Sequence, residues 1–380
     1  MKKNNIGEWR PGILPKEYIR QLREQEIIKF GKEESIDNSS IDLHLSVQGW
    51  EVKGSLKLRR DESFSTVTTR EDFIRSKLDL SKEVLLKPHK TYVVQLQESI
   101  DPRINEYNIN GRATGKSTIG RLDVLTRLIV DKCERYDVLP KECGGPLYLE
   151  ITPITFPIIV KVGDKLNQLR FFRGEPKLSE LDDDEVKLFG QLTDSNRKDI
   201  RDLTLDLSPT KICDKEVIAF TTQKTKFTDD EAITIGKPSK YDPGKYWRFV
   251  EPNHSGFIEI EKDKFYILRS KERFRLPEDV GVYCQAITEN LGEIRIHYAG
   301  FVHPGFGYFR KDNRGTPLIF EVRGHTVNAF LRDGELMAKV SFYRTSNPVN
   351  FDPKDIEEAR KETYNNQELQ LSKYFKKWKK

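Results

Sequence analysis

The stretch Gly145-Pro146-Leu147-Tyr148-Leu149-Glu150-Ile151 has a counterpart in the second half of the chain, Thr316-Pro317-Leu318-Ile319-Phe320-Glu321-Val322. In both copies a glycine follows the glutamate after thirteen residues, and a phenylalanine follows that glycine after eight more: Gly163 and Phe171, Gly334 and Phe342. Because both intervals are the same in the two copies, duplication is a better explanation than chance similarity. The sequence therefore predicts two copies of one structural unit.

Both copies are predicted to form β-sheet. Each contains a short apolar run with β-branched and aromatic neighbours, and Pro153 and Pro157 would interrupt a helix after the first run. The segments 166–171 and 336–342 follow Gly-Asp and Gly-Glu turns and mix apolar with polar positions. Short strands at regular spacing are typical of sandwiches and barrels. We expect a mainly β fold with a few peripheral helices.

The composition limits the classes of function. The 380 residues suit two domains, and 21 Phe, 14 Tyr and 4 Trp exclude a fully disordered chain. A net charge of +5, from 65 basic and 60 acidic residues, does not require a nucleic-acid partner, and we expect none. No apolar run approaches the roughly 18 residues of a membrane span, and the N-terminus has no signal-peptide pattern. These features predict a cytoplasmic protein without a membrane partner.

The predicted organisation has four parts. The first unit spans residues 1–175, an acidic connector spans 176–202, a second unit spans 203–347, and a charged C-terminal helix or tail spans 348–380. Apolar residues at helical spacing predict one helix over 15–30 and an amphipathic helix from Pro353 towards the C-terminus. The last five residues are expected to be a solvated tail.

Gly111-Arg-Ala-Thr-Gly115-Lys116-Ser117 looks like a phosphate-binding Walker A loop, but it is one residue short. That motif needs four residues between its glycines, because the loop directs successive backbone amides at phosphate. The surrounding sequence also lacks alternating strands and helices. We therefore reject a P-loop fold. Lys116, Ser117 and Arg121 still place two cations beside a hydroxyl, which suits a phosphorylated ligand.

Several motifs in a fixed order resemble the superfamily of dCTP deaminases and dUTPases. Gly115-Lys-Ser117-Thr-Ile-Gly-Arg121-Leu122 is similar to the family signature Gly-Arg-Ser-Ser-x-x-Arg-Leu. The second half resembles the tandem, double-length dCTP deaminases through the run from Glu293 to Gly307. Three further elements match in the first half: Ser39-Ser40-Ile-Asp42-Leu43-His-Leu45, Tyr136-Asp137 through Glu150, and Val162-Gly163 through Gln168 to Phe171.

This resemblance implies two tandem dUTPase-like units, each a distorted β-barrel called a β-clip. It also implies homo-oligomers, with a trimer favoured, and nucleotide sites between units. The implied catalytic residues are Glu150, Ser117 and Arg121. The implied substrate-binding residues are Lys116, which replaces the usual arginine, together with Arg127, Asp131, Asp137 and Gln168.

Deamination of cytosine needs a group that activates water and then protonates the departing nitrogen. One carboxylate can do both when its pKa lies near the working pH, and burial on an apolar strand raises a carboxyl pKa. Glu150, between Leu149 and Ile151, matches the family's catalytic glutamate. From the residues alone, a solvent-facing glutamate or a structural ion pair is the favoured interpretation, and it is the resemblance that favours catalysis.

The expected chemistry uses no zinc. Zinc deaminases hold their metal with His-x-Glu and Pro-Cys-x-x-Cys, and this chain has neither; its four cysteines are scattered. The resemblance instead implies Mg²⁺ bound with the triphosphate, held mostly by phosphate oxygens and water.

The second unit departs from the family pattern. Its counterpart of the serine signature, residues 289–295, has no serine, and His303 stands at the position of the Asp turn. Glu321 is retained, and a structural role for it is as plausible as a catalytic one. His297 and His303 are candidate ligand contacts or satisfied core histidines. We expect this unit to support assembly and to complete the first unit's site.

Three functions remain open at this point. The leading one is hydrolytic deamination of dCTP to dUTP and ammonia for dUMP and dTTP synthesis, with dTTP as a candidate inhibitor. The second is dUTP pyrophosphatase activity or both activities together, although the C-terminus lacks the glycine-rich arm expected of that chemistry. The third is a non-catalytic nucleotide-binding regulator, because a fold alone does not determine function.

Overall fold

The computed structural model describes residues 9–29, 35–141, 144–188, 201–253, 255–286, 294–296, 300–361 and 364–379. Within these ranges the chain is mainly β and forms two barrel-like units, which confirms the predicted fold class. No helix in the described ranges is long and apolar enough to cross a membrane.

The first unit contains thirteen strands among the residues described. They are β1 (Gly12–Ile13), β2 (Ile28–Lys29), β3 (Ile36–Asp37), β4 (Ser40–Val52), β5 (Ile74–Asp79), β6 (Val84–Leu86), β7 (Thr91–Ile100), β8 (Ile109–Gly115), β9 (Val124–Val130), β10 (Val138–Leu139), β11 (Gly145–Pro153), β12 (Ile158–Val160) and β13 (Lys165–Arg173). The main sheet has the order β10-β8-β13-β4-β7-β11-β9.

The second unit repeats this arrangement with a sheet of order β19-β17-β21-β14-β27-β22-β24, and β25 pairs with β21 and β23. Its strands are β14 (Asp202–Asp206), β15 (Thr210–Ile212), β16 (Lys215–Val217), β17 (Ala219–Thr222), β18 (Ile233–Thr234), β19 (Trp247–Val250), β20 (Phe257–Ile260), β21 (Phe265–Phe274), β22 (Val280–Ala286), β23 (Ile294–Ile296), β24 (Phe301–Val302), β25 (Thr316–Gly324), β26 (Ala329–Arg332) and β27 (Leu336–Arg344).

The described helices are short. Among the residues that the structure describes, the α-helices are α1 (Lys16–Glu24), α2 (Phe64–Val67), α3 (Ser117–Gly120), α4 (Asp183–Leu188) and α5 (Pro353–Lys361), and 3₁₀ turns lie at Pro102–Tyr107, Pro176–Ser179, Asp229–Glu231 and Pro243–Lys245. Helix α1 buries Tyr18, Ile19 and Leu22, as its apolar spacing predicts. It ends at Glu24, before the predicted limit, because Ile28 enters strand β2 beside β7.

The duplication extends to individual hydrogen bonds. In the first unit the Tyr92 hydroxyl accepts a hydrogen bond from the backbone N–H of Lys87, five residues earlier. In the second unit the Tyr266 hydroxyl accepts one from Glu261, also five residues earlier. Six residues after each tyrosine, a buried glutamate accepts a backbone N–H bond from the neighbouring strand: Glu98 from His44 and Glu272 from Thr204. The repeat in sequence is thus a repeat in structure.

The two units pack as one body. Strand β12 of the first unit pairs in parallel with β18 of the second, with Ile158 opposite Ile233. The largest buried apolar cluster contains side chains of both units, including Phe156 and Trp247, together with Phe375 near the C-terminus. Burial of apolar surface on this scale is the main stabilising term in folding. The boundary between the units is therefore part of the core.

The C-terminal region differs from the predicted helix. Helix α5 ends at Lys361, and residues 364–379 form turns, bends and irregular backbone, with Phe375 bridging to Tyr241. Apolar residues at 369–375 are buried, and Trp378 packs on Phe249. These side chains pack into the core of the units and do not form the apolar face of a helix. Tertiary packing therefore overrides the helical spacing seen in the sequence. We call residues 364–378 the tail segment.

Candidate active site

A cavity of about 310 Å³ lies where the two units and the tail segment meet. This volume is at the lower end of the range for small-molecule sites. The first unit contributes Lys116, Ser117, Arg121 and Gln168; the second contributes Cys284, His303 and Glu321; the tail segment contributes Tyr364, Gln367 and Lys373. Four of the predicted site residues therefore share one cavity.

The short helix α3 presents the predicted signature to this cavity. Strand β8 ends at Gly115, and Lys116 keeps an extended backbone before the chain turns at Ser117. The Lys116 ammonium forms an ion pair with Asp42, and the Ser117 side chain is exposed in the cavity. The amide of Gln168, on the adjacent β13, lies 3.5 Å from the Thr114 hydroxyl. A cation, a hydroxyl and an amide thus lie on one wall.

Arg121 follows α3 and is almost completely buried. Its guanidinium donates to the side-chain oxygen of Gln367 at 2.5 Å and to the backbone oxygen of Gln370 at 3.2 Å. It also lies 4.3 Å from the centre of the Tyr364 ring, a cation–π contact. Burial lowers the pKa of Arg121, while the nearby Tyr364 and Glu321 act in the opposite direction. The tail segment therefore fixes this guanidinium.

Glu321 reaches the same place from strand β25 of the second unit. Its Oε1 atom is 4.0 Å from Nε of Arg121. A β-carbon added to Gly120 would lie only 2.3 Å from Oε2 of Glu321, so glycine leaves room for this carboxylate. Burial, and secondarily the charge of Glu321, raises the pKa of Cys284 to about 12. The Cys284 thiol is consequently neutral at physiological pH and is no candidate nucleophile.

Glu150 occupies a different place. On strand β11 it is buried, and its carboxylate accepts hydrogen bonds from the hydroxyls of Ser55 at 2.8 Å and Tyr136 at 3.1 Å. Burial raises the pKa of Glu150, as predicted for a carboxyl on an apolar strand, while these hydrogen bonds and Arg127 oppose the shift. Glu150 is not among the residues that line the cavity. The structure therefore does not bring it together with Ser117.

The chain itself covers the face of the sheet that carries Glu150. Residues 54–73, which include α2, lie over strands β7, β9 and β11, and we call this segment the cover segment. Phe64 and Leu58 of the cover segment are buried against Trp50 and Tyr148. The Ser55 hydroxyl that bonds Glu150 belongs to the same segment.

Three other predicted binding residues lie with Glu150 rather than in the cavity. The Arg127 guanidinium stacks 5.0 Å from the centre of the Tyr136 ring. Asp131 accepts a hydrogen bond from the backbone N–H of Phe64, at the start of α2. Asp137 has a left-handed φ of 62° and accepts from the backbone N–H of Leu128, and burial raises its pKa to about 7. These contacts organise the surroundings of Glu150 and the cover segment.

His303 lines the cavity from the second unit. Its Nδ1 atom is 3.2 Å from the hydroxyl of Ser39, and Nε2 is 3.5 Å from a carboxylate oxygen of Asp37. Burial lowers the pKa of His303 to about 4 although Asp37 opposes the shift, so the ring is neutral at physiological pH. His297, the other histidine singled out from the sequence, lies outside the described residues.

Sequence reasoning missed several members of the two groups. Nothing local in the sequence indicates that Tyr364 and Gln367, in a stretch predicted to be helix or tail, contact Arg121. Likewise, Ser55 precedes Glu150 by almost a hundred residues, and only the path of the cover segment brings them together. One feature of the sequence could have indicated the pairing of Arg121 with Glu321, namely the glutamate that the second repeat retains.

Fold and cavity together define a two-unit β protein with a cation-lined ligand site between its units. The N-terminal domain model of 2'-deoxycytidine 5'-triphosphate deaminase (DCD) matches residues 10–175, and the C-terminal domain model of the same family matches residues 174–375. The chain therefore belongs to the dCTP deaminase family, a family of enzymes, which confirms the resemblance seen in the sequence.

A solved structure agrees with this assignment. The crystal structure of 2'-deoxycytidine 5'-triphosphate deaminase from Agrobacterium tumefaciens is 27% identical, with a TM-score of 0.81 over 90% of this chain and 100% of the other. An anti-sigma factor domain-containing protein from Clostridium clariflavum, 9% identical over 80% of this chain and 91% of the other, has a TM-score of 0.14, which is too low to indicate a shared fold. No curated protein matches the chain.

Proposed function

We propose that the protein hydrolyses dCTP to dUTP and ammonia in the cavity between its two units, and so supplies dUTP for dUMP and dTTP synthesis. The observation that carries this proposal is the convergence of Ser117, Arg121 and a carboxylate, that of Glu321, on one cavity. The family match and the likeness to the Agrobacterium deaminase support it.

The cavity wall suits the triphosphate of the substrate. Lys116 and Lys373 place ammonium groups on the lining, and Ser117 adds a hydroxyl at the start of α3. Lysine contacts phosphate as a point charge rather than through a planar fork. We propose that the Lys116–Asp42 ion pair opens when phosphate arrives, since phosphate can replace Asp42 as the partner of the ammonium.

Mg²⁺ is proposed to enter with the triphosphate. The described residues contain no group of three or more His, Cys, Asp and Glu side chains that could hold a metal by themselves. Such a set is not required for Mg²⁺, which keeps several waters and binds mainly through phosphate oxygens. Asp37 and Asp42, near Lys116, fit one or two outer contacts to such an ion. When bound, the ion would neutralise the charge of the phosphate groups. We also propose that the deamination of the cytosine base uses no zinc.

The deciding experiment incubates the purified protein with dCTP and Mg²⁺ and follows ammonia and nucleotides together. Equal amounts of ammonia and dUTP are expected. Ammonia with dUMP and pyrophosphate would instead show that both activities reside in the chain. Binding of dCTP without turnover of dCTP or dUTP would identify a non-catalytic regulator and overturn the proposal.

One observation favours the combined activity as a second candidate. The tail segment crosses the cavity, with Tyr364 and Gln367 in its lining, so this chain does close the site with a C-terminal arm despite the absence of glycine there. Against it, the Asp turn at Asp137 lies away from the cavity. Its structural counterpart in the second unit is Gly300, not the predicted His303, because the Gly300 carbonyl accepts a hydrogen bond from Cys284 as the Asp137 carbonyl does from Ala113. The deaminase therefore remains the better-supported function.

Assembly and inhibition extend the proposal. We expect a homo-oligomer, with a trimer favoured, and inhibition by dTTP at the nucleotide site. Light scattering with size-exclusion chromatography measures the first, and dCTP turnover at increasing dTTP concentration measures the second. A monomer at micromolar concentration would contradict the expected assembly. The roles predicted for Arg127, Asp131 and Asp137 in substrate binding, and for Glu150 in catalysis, rest on the sequence resemblance alone, because the residues that line the cavity do not include these four.

A further inference from the structure

We propose that Glu321 of the second unit, and not Glu150 of the first, is the catalytic carboxylate for the Ser117 cavity. This inference rests on the proposed deamination and assigns one of its residues. It makes the active site composite, with the signature of one repeat facing the glutamate of the other.

The two glutamates are equivalent in the fold. Glu150 on β11 lies opposite Val93 on β7, and Glu321 on β25 lies opposite Ile267 on β21. Each strand partner follows the tyrosine that the two units share, Tyr92 or Tyr266. The positions of the two carboxylates within their units therefore do not distinguish them. The residues around each carboxylate must provide the distinction.

Those surroundings differ sharply. The cover segment closes the face of the sheet that carries Glu150, and its Ser55 hydroxyl donates a hydrogen bond to that carboxylate. The second unit turns the equivalent face of β25 towards the first unit, and Glu321 lines the cavity there with Ser117. A carboxylate must reach water and substrate in order to transfer a proton between them. Glu321 meets this requirement and Glu150 does not.

Arg121 places an unpaired buried donor near Glu321. Within the described part of the structure, Nε of Arg121 is buried and donates no hydrogen bond. Its distance of 4.0 Å from Oε1 of Glu321 is too long for a direct hydrogen bond. An oxygen atom held beside both groups can accept a bond from Arg121 and donate one to Glu321. We infer that this oxygen belongs to the attacking water.

The reaction then balances with water as the sole co-reactant. Water forms a bond from its oxygen to C4 of the cytosine, Glu321 accepts the proton lost by the water, and N3 receives the electron pair of the C4–N3 double bond. Glu321 passes that proton to N3. The remaining hydroxyl proton moves through Glu321 to the amino group, the C4–N bond breaks, and C4 keeps its oxygen as a carbonyl. Ammonia and dUTP leave, and Glu321 is again a carboxylate.

The repeat supplies a matched pair of variants, Glu321→Gln and Glu150→Gln. Deamination of dCTP is measured by single-turnover assay, binding of dCTP by calorimetry, and folding by thermal melting. Glu321→Gln is expected to bind dCTP and to lose about 10²–10⁴ in rate, the usual contribution of a general acid–base group. Glu150→Gln is expected to stay within a few-fold of the wild type. Glu321→Asp, which retracts the carboxylate, is expected to be intermediate with binding unchanged, and it replaces Glu321→Gln if that variant does not fold.

The outcomes separate the two proposals. Deamination that survives in Glu321→Gln, or a folded Glu150→Gln variant that binds dCTP but has no turnover, overturns the assignment of Glu321 and leaves the proposed function standing. Wild-type protein that binds dCTP without converting it overturns the proposed function and the assignment together.

Discussion

Arg121 of the first unit and Glu321 of the second face each other across the boundary between the units, with Nε and Oε1 4.0 Å apart. Each side chain is set by its own unit, Arg121 by the turn after α3 and Glu321 by strand β25. Their separation is therefore decided by how the units and the tail segment pack. Small changes far from either residue are expected to alter it, and a displacement of about 1 Å at a catalytic group can cost 10²-fold in rate.

Replacing Arg121 by lysine keeps the charge but removes the planar donor fork. The variant loses the bonds to Gln367 and to the backbone of Gln370, and bonds from a charged donor are worth about 1.5–3 kcal/mol each. We expect kcat/KM for dCTP to fall at least about 10-fold in steady-state assays. Arg60→Lys, on an exposed side chain, is the control and should behave as wild type. Equal activity of the two variants would contradict a fixed role for the guanidinium.

Gly120→Ala tests the position of the Glu321 carboxylate without changing a charged residue. The added β-carbon would lie 2.3 Å from Oε2, so the flexible Glu321 side chain must move. We expect kcat to fall about 10-fold or more while dCTP binding and the melting temperature change little. The matched control is Gly54→Ala, where nothing lies within 4 Å of an added β-carbon. A fully active Gly120→Ala enzyme would show that this carboxylate position is not needed.

Phe375→Ala tests the anchor of the tail segment. Phe375 is 5% exposed and packs against Phe156, Tyr246 and Trp247, and truncation of a buried phenylalanine costs about 3–5 kcal/mol. We expect a loss of this size in urea unfolding. Phe330→Ala, at a 62% exposed position, should change stability by less than about 0.5 kcal/mol. Similar midpoints for both variants would mean that the tail segment is not part of the core.

The carboxyl of Asp137 predicts a pH dependence of stability. Burial raises its pKa from 3.8 to about 7, so between these values the folded state binds more protons than the unfolded state. Its contribution is complete below about pH 4 and is lost as pH rises towards 7, by up to about 4 kcal/mol at 1.36 kcal/mol per pKa unit. Asp137→Asn should lack this slope when urea unfolding is compared at pH 5 and pH 8. Parallel pH profiles for both proteins would refute the shift.

The double-unit fold could be predicted because its signals are local. The spacing from glutamate to glycine to phenylalanine is a property of adjacent strands within one unit, and each copy shows it separately. The signature from Lys116 to Arg121 is likewise one turn and one short helix, and the structure places its ends in one cavity.

The choice between the two glutamates could not be made from sequence, because it depends on contacts between distant segments. Glu150 and Glu321 both have apolar neighbours in sequence and occupy equivalent positions in their sheets. What separates them is a cover segment that starts almost a hundred residues before Glu150, and a unit boundary set by the shared core. The irregular path of the tail segment was missed for the same reason, since Phe375 is buried by partners from both units.

Joining the two repeats in one polypeptide has an evolutionary consequence. In a ring of identical subunits a substitution appears at every equivalent interface, so both partners of a contact change together. Here the pairing of β12 with β18 occurs once per chain, between halves with different sequences. Each half can accumulate substitutions on the face that does not contact the other half. Covalent fusion thus converts a symmetric contact into an asymmetric one, in which selection can act on each half separately.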